Sequence, residues 1–151
     1  MEPSNPEVPY IQGQQERLGP NEVREIVPQL TKEFCTLFLT LPESKDKWEE
    51  AEANNPHRIN IEFDKNGKTY KVEYKPKREE GSLSITLVDS QFAGDPNEDF
   101  DDEEIVLDEE GISGIYTWFE KDETGPAGQT IELNTKPALQ MANSILSKLK
   151  Q

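Results

Sequence analysis

The chain has 151 residues, enough for one domain with a real core, but only 32% of them are hydrophobic, so that core must be concentrated in part of the sequence. Thirty-one Asp and Glu against sixteen Lys and Arg give a net charge of −15, a field that repels nucleic acid and anionic membranes and attracts basic proteins. There is no apolar run near the ~20 residues of a membrane-spanning helix. The opening MEPSNPEVPY lacks the basic and apolar regions of a secretory signal, and the single Cys35 allows no internal disulfide framework. The expectation is a cytoplasmic protein that neither binds nucleic acid directly nor sits on a membrane.

Residues 1–19 carry Pro3, Pro6 and Pro9 among polar residues, with Gly13 and Gly19 behind them, and read as a disordered arm. The remainder, 20–151, reads as one domain. Asn21 suits an N-cap for a first helical turn, and Pro28 suits a second helix start. From Pro28 onward, Leu30, Phe34, Leu37, Phe38 and Leu41 fall on one helical face. Pro42 ends that helix. ESKDKWEEAEANN forms a short polar helix anchored by Trp48, and Asn54-Asn55-Pro56 breaks the chain.

RINIEFDKNGKTYKVEYK (58–75) is the best-specified stretch. Asn66-Gly67 supplies the two central residues that a type I′ turn needs at positive φ. Closing there pairs Lys65 with Lys68, and then Phe63 with Tyr70, Ile61 with Val72 and Ile59 with Tyr74 on one side. Glu62 meets Lys71 and Asn60 meets Glu73 on the other. SLSITLV follows as a third strand with Leu83, Ile85 and Leu87 on one face. Residues 89–104 lack an apolar period and read as a long acidic loop. IVL at 105–107 gives a fourth strand, IYTWFE at 115–120 a fifth, and TIEL at 130–133 can return as a sixth. Ile115, Thr117 and Phe119 are expected to face the helices, with Tyr116 and Trp118 opposite. Asn134 or Thr135 caps a last helix with Leu139, Ala142, Ile145, Leu146 and Leu149 as its stripe, and Lys148 and Lys150 complement its dipole. The fold class is therefore α+β: an antiparallel sheet of five or six strands, N-terminal and C-terminal helices packed on one face, and a long acidic loop between the third and fourth strands.

The element order is similar to that of the small acidic secretion chaperones of bacteria, which also set a sheet between terminal helices. Their helix between the third and fourth strands is replaced here by the acidic loop, and no motif matches. A likeness of fold alone licenses no function.

Residues 79–120 hold fourteen acids and no Lys or Arg, and ten of those acids lie between Asp95 and Glu110. Such a run acts as bait for a basic surface, speeding encounter and making it salt-dependent. Asp95, Asn97, Asp99 and Asp101 alternate as the ligands of a calcium loop do, but the sixth position is Phe100 rather than Gly and the twelfth is Val106 rather than Glu, so no metal site is assigned. Catalysis finds little support. His57 has no Ser or Cys near it in sequence, Cys35 sits in an apolar run, and the common nucleotide, zinc and nucleophile motifs are missing. No cofactor is expected. The leading expectation is a non-enzymatic acidic module or adaptor that engages a basic partner protein through Asp95, Asp99, Asp101, Asp102, Glu103 and Glu104, joined by Tyr116 and Trp118. Two alternatives stand beside it: a nucleic-acid mimic that inhibits a DNA- or RNA-binding protein, and a small-ligand carrier or enzyme using the sheet face.

Overall fold

A computed structural model of the chain describes residues 19–76, 81–89, 100–122, 125–133 and 135–151. Residues 1–18 of the expected arm, and loop residues 90–99 with Asp95 and Asp99, lie outside the described residues. Three helices and six strands follow in the order α1 (Pro20–Thr40), α2 (Lys45–Asn54), β1 (Ile59–Lys65), β2 (Lys68–Lys75), β3 (Ser82–Asp89), β4 (Phe100–Asp108), β5 (Gly111–Asp122), β6 (Gly125–Leu133) and α3 (Thr135–Lys150). The strands make one antiparallel sheet in sequence order, β1 to β6. The α+β fold is the expected one, with N-terminal and C-terminal helices on one face of the sheet. Among the described residues no helix is long and apolar enough to cross a membrane.

The first hairpin has the derived register: Phe63 opposite Tyr70, Ile61 opposite Val72, Ile59 opposite Tyr74 and Glu62 opposite Lys71. Asn66 and Gly67 both have positive φ, 50° and 79°, as the two-residue turn demands. β1 reads as strict alternation of buried and exposed residues. Its inward set aligns across the sheet, so that Ile61, Val72, Ile85 and Ile105 form one row and Tyr74, Leu83, Leu107 and Ile112 the next. Phe34 and Phe38 of α1, Trp48 of α2, and Met141, Ile145 and Leu149 of α3 close over these rows as a single core. Phe38 is its hub, with ring centroids 6.2 Å from Phe34, 5.7 Å from Trp48 and 5.9 Å from Phe63.

α1 is one helix where the sequence suggested two starts. Pro28 removes the donor that the Arg24 carbonyl would accept from, yet Leu30, Phe34 and Phe38 are buried beyond it, and tertiary packing carries the helix through. Its start is two residues earlier than Asn21 implied: Gly19 is the N-cap, and its N–H donates to Glu22 Oε1 at 3.2 Å. The corner into α2 is fixed by the buried Ser44 hydroxyl donating to the Phe38 carbonyl (2.9 Å). α2 covers the β1 edge of the sheet, where Lys47 Nζ donates to the Glu62 carbonyl (2.8 Å). At the other end, Lys65 is buried and donates to the Gln151 main-chain oxygen (2.7 Å), tying the end of α3 to the hairpin tip.

Two expectations are corrected. β4 begins at Phe100, so Asp101, Asp102, Glu103 and Glu104 belong to a strand rather than to the acidic loop. Composition disfavours a strand there, but pairing with β3 and β5 on both sides overrides it. The phase of β5 is also reversed. Tyr116 faces the helices and is 3% exposed, while Ile115 and Thr117 are half-buried on the opposite side. The cause is the turn: Asp108 pairs with Gly111, which puts Ile112, Gly114 and Tyr116 opposite the inward Leu107, Ile105 and Glu103.

Candidate functional site

The acids singled out by sequence divide between the two faces of β4. Glu103 points toward the helices and is buried against α3, where Lys148 Nζ donates to its Oε1 at 3.4 Å. The Tyr70 hydroxyl is pushed up to about 12, first by burial and then by the negative charge of Glu103. Asp102 and Glu104 lie on the outer face, opposite Val88 and Thr86 of β3 and opposite Thr117 and Ile115 of β5. Glu132 of β6, exposed, pairs with Ile115 and continues the Glu104 row. Asp101 and Trp118 pair with each other across β4 and β5. Tyr116 is a core residue, stacked in the row that holds Glu103 and Ile131.

Charge is segregated along this outer face. β1 and β2 mix signs: Glu62 stands opposite Lys71, and Arg58 Nε donates to Glu73 Oε2 at 2.7 Å. From residue 79 to 120, which spans β3, β4 and most of β5, the sequence places no Lys or Arg at all. The half of the face built on β4 to β6 carries the exposed Glu132 with Asp102 and Glu104, both half-buried, on paired strands.

A second feature was not legible in the sequence. A groove of about 580 Å³ runs beside α1, where that helix meets the end of β2, the start of β3 and the end of β4. Val27, Cys35, Leu39, Tyr74, Leu83 and Leu107 supply its apolar lining, and Lys32, Lys75, Asp108 and Glu109 are the charged residues along it. Its formation depends on where α1 lies over three strand ends, which no local pattern encodes. Burial pushes the Cys35 thiol up to about 11, and raises the Tyr74 hydroxyl, to which Cys35 adds a smaller part. No histidine lines the groove, and a thiol raised in this way is a poor nucleophile. His57 is exposed before β1, its backbone N–H donating to Asn55 Oδ1 at 3.1 Å. Among the described residues no group of three or more His, Cys, Asp or Glu could hold a metal ion.

No protein-family model matches the chain, and neither curated proteins nor solved structures give a match.

Proposed function

We propose that the chain is a non-enzymatic acidic module that binds a basic partner protein, using the outer face of β4 to β6. The observation that carries this reading is the cation-free run of fourteen acids from 79 to 120, with Asp102 and Glu104 fixed on the outer face of a central strand. Acids held on a strand lose no side-chain-bearing backbone freedom when a partner docks, which favours complementarity over mere solvation. The raised Cys35 thiol and exposed His57 offer no paired nucleophile and base, which supports a binding role over a catalytic one. Capture of partners by the full chain at low and at high salt tests the reading. A basic protein should be retained at low salt and released as the Debye length shrinks from roughly 30 Å to 8 Å. The double variant Glu104→Gln and Glu132→Gln should retain less. Retention that ignores both salt and the variant defeats the proposal.

A nucleic-acid mimic is the second reading, favoured by one spacing. Asp102 and Glu104 are two residues apart on a strand, about 6.8 Å, close to twice the roughly 3.4 Å per phosphate of one DNA strand. Competition between the chain and duplex DNA for a common binder separates the two.

A further inference from the structure

The two edges of the sheet are finished differently. On β1, α2 lies alongside and the Lys47 amine donates to the Glu62 carbonyl. Beyond β6 no further strand lies among the described residues. We propose that β6 takes up an extended basic segment of the partner as a seventh strand, with lysine or arginine at alternate positions and apolar residues between them. This rests on the partner-binding reading above and adds to it the backbone conformation and the sequence pattern of what is bound.

Register decides which backbone groups of β6 face outward. Asp122 and Gly125 close the β5–β6 hairpin across two residues, and such a closing pair exchanges both of its hydrogen bonds. Pairs then alternate, so Ala127, Gln129, Ile131 and Leu133 bond toward β5, while Pro126, Gly128 and Thr130 turn their backbone groups to the open side. Two checks agree with this count. Pro126 has no N–H and falls in the outward set, where an edge strand tolerates it. Counting from Lys65 and Lys68 in the same way makes Glu62 outward on β1, where its carbonyl meets Lys47. β6 has nine residues, longer than the usual roughly 5–6, and Pro126 blunts only its hairpin end. Gly128 and Thr130 thus offer N–H and C=O groups to an incoming main chain.

Charge and burial select the occupant. Glu104, Ile115 and Glu132 form one row across the outer face, and that row ends at this edge with Glu132 exposed. A seventh-strand residue beside Glu132 on that face meets its carboxylate directly, with Glu104 further along the row, so a cation is favoured there and an acid opposed. The helix side differs. Ile131 stands next to Tyr116 and is only partly buried against the core, so a strand residue beside it gains by being apolar. Strand alternation turns these two neighbours into a pattern of cation and apolar residue by turns. A second copy of this chain fits badly: each copy carries −15, and its own β6 would bring Glu132 into the pairing.

Two ten-residue peptides alternating lysine with valine probe the edge: one unmodified, the other N-methylated through its central residues so that neither side of the strand can donate. Calorimetric titration of the full chain at low and high salt reads affinity, and amide exchange followed by NMR reads Gly128 and Thr130. The unmodified peptide should bind at low salt and slow exchange at both positions by at least about ten-fold. N-methylation removes the ladder donors yet keeps every charge, and should weaken binding by at least about ten-fold. Glu132→Lys, checked for an unchanged melting curve, should lose about five-fold for the unmodified peptide. If both peptides bind alike, with salt dependence but no protection of Gly128 and Thr130, strand addition is overturned and the basic-partner reading stands. If neither peptide binds at low salt, strand addition is overturned and the basic-partner reading loses support with it. A chain that sediments as a dimer with both amides already protected is paired with its own copy, which also overturns the proposal.

Discussion

Substituting alanine at two turn glycines separates backbone strain from steric crowding. Gly67, in the β1–β2 turn, has φ +79°, and a Cβ there would meet nothing within 4 Å. Gly67→Ala therefore bears only the left-handed cost of roughly 1–2 kcal/mol, offset in part by the roughly 0.4–1 kcal/mol gained from a less flexible unfolded chain, for a net loss of about 1 kcal/mol. Gly111, in the β4–β5 turn, has φ +134°, and its Cβ would lie 3.2 Å from Val23 Cγ1 of α1. That contact is a few tenths of an ångström inside the usual optimum of about 3.5–4.0 Å. Gly111→Ala then combines an unfavourable φ with crowding against a helix that must stay docked, and the expected loss is about 3 kcal/mol. Urea unfolding followed by far-UV circular dichroism reads both. With a slope of about 2 kcal/mol per molar, the midpoints should fall by about 0.5 M and about 1.5 M. Adding Val23→Ala to Gly111→Ala should recover the crowding part, a coupling of about 0.5–1 kcal/mol, and the same change with Gly67→Ala should show none. Equal losses for the two glycine variants, or no coupling at Gly111, would refute the assignment of α1 to the β4–β5 turn through Val23.

Phe38→Ala removes the ring shared by Phe34, Trp48 and Phe63 and should cost about 3–5 kcal/mol in chemical denaturation; a loss under about 1.5 kcal/mol would mean that α1 and α2 are not docked through it. Lys148→Met withdraws the cation from the buried Glu103 and should cost about 1–3 kcal/mol, whereas Lys150→Met, whose exposed pair with Glu33 spans 3.9 Å, should cost less than about 0.5 kcal/mol in the same assay. Because burial raises Cys35 from 9.0 to about 11, the folded state disfavours its thiolate: this contribution is complete below pH 9 and lost as pH rises toward 11. Cys35→Ala should flatten that part of the stability profile measured by pH-stepped urea titration, and an unchanged slope would contradict the burial.

Where local chemistry and alternation agree, the fold is legible residue by residue. Asn66-Gly67 alone sets the partners of Phe63, Ile61 and Ile59, and the stripes of α1 and α3 predict Phe34, Phe38, Ile145 and Leu149 as core. β5 failed for a physical reason. Ile115, Thr117 and Phe119 and the interleaved Tyr116 and Trp118 are all compatible with burial, so alternation carries no phase. The missing signal was one turn upstream, where closing Asp108 on Gly111 would have carried the inward Ile105 and Leu107 across to Gly114 and Ile112. FDDEE was read as loop because composition penalises strands, and only the flanking strands rescue it. Of the candidate acids, those on β4 acquire a face from this pairing. The groove could not be read at all, being made by four elements distant in sequence.

The neighbour-only strand order also shapes how the chain would be made. Each strand can pair with its predecessor as it leaves the ribosome, so the sheet grows by successive hairpins and its local contacts favour rapid folding. The helix α3, which packs on β4 and β5, follows all six strands in the chain. Until then Ile105 and Tyr116 lack the cover that α3 adds to that of α1, and the nascent sheet shows part of its future interior to water. The acids packed into 79–120 emerge with that same stretch, so mutual repulsion between half-made chains guards the interval before the last helix arrives.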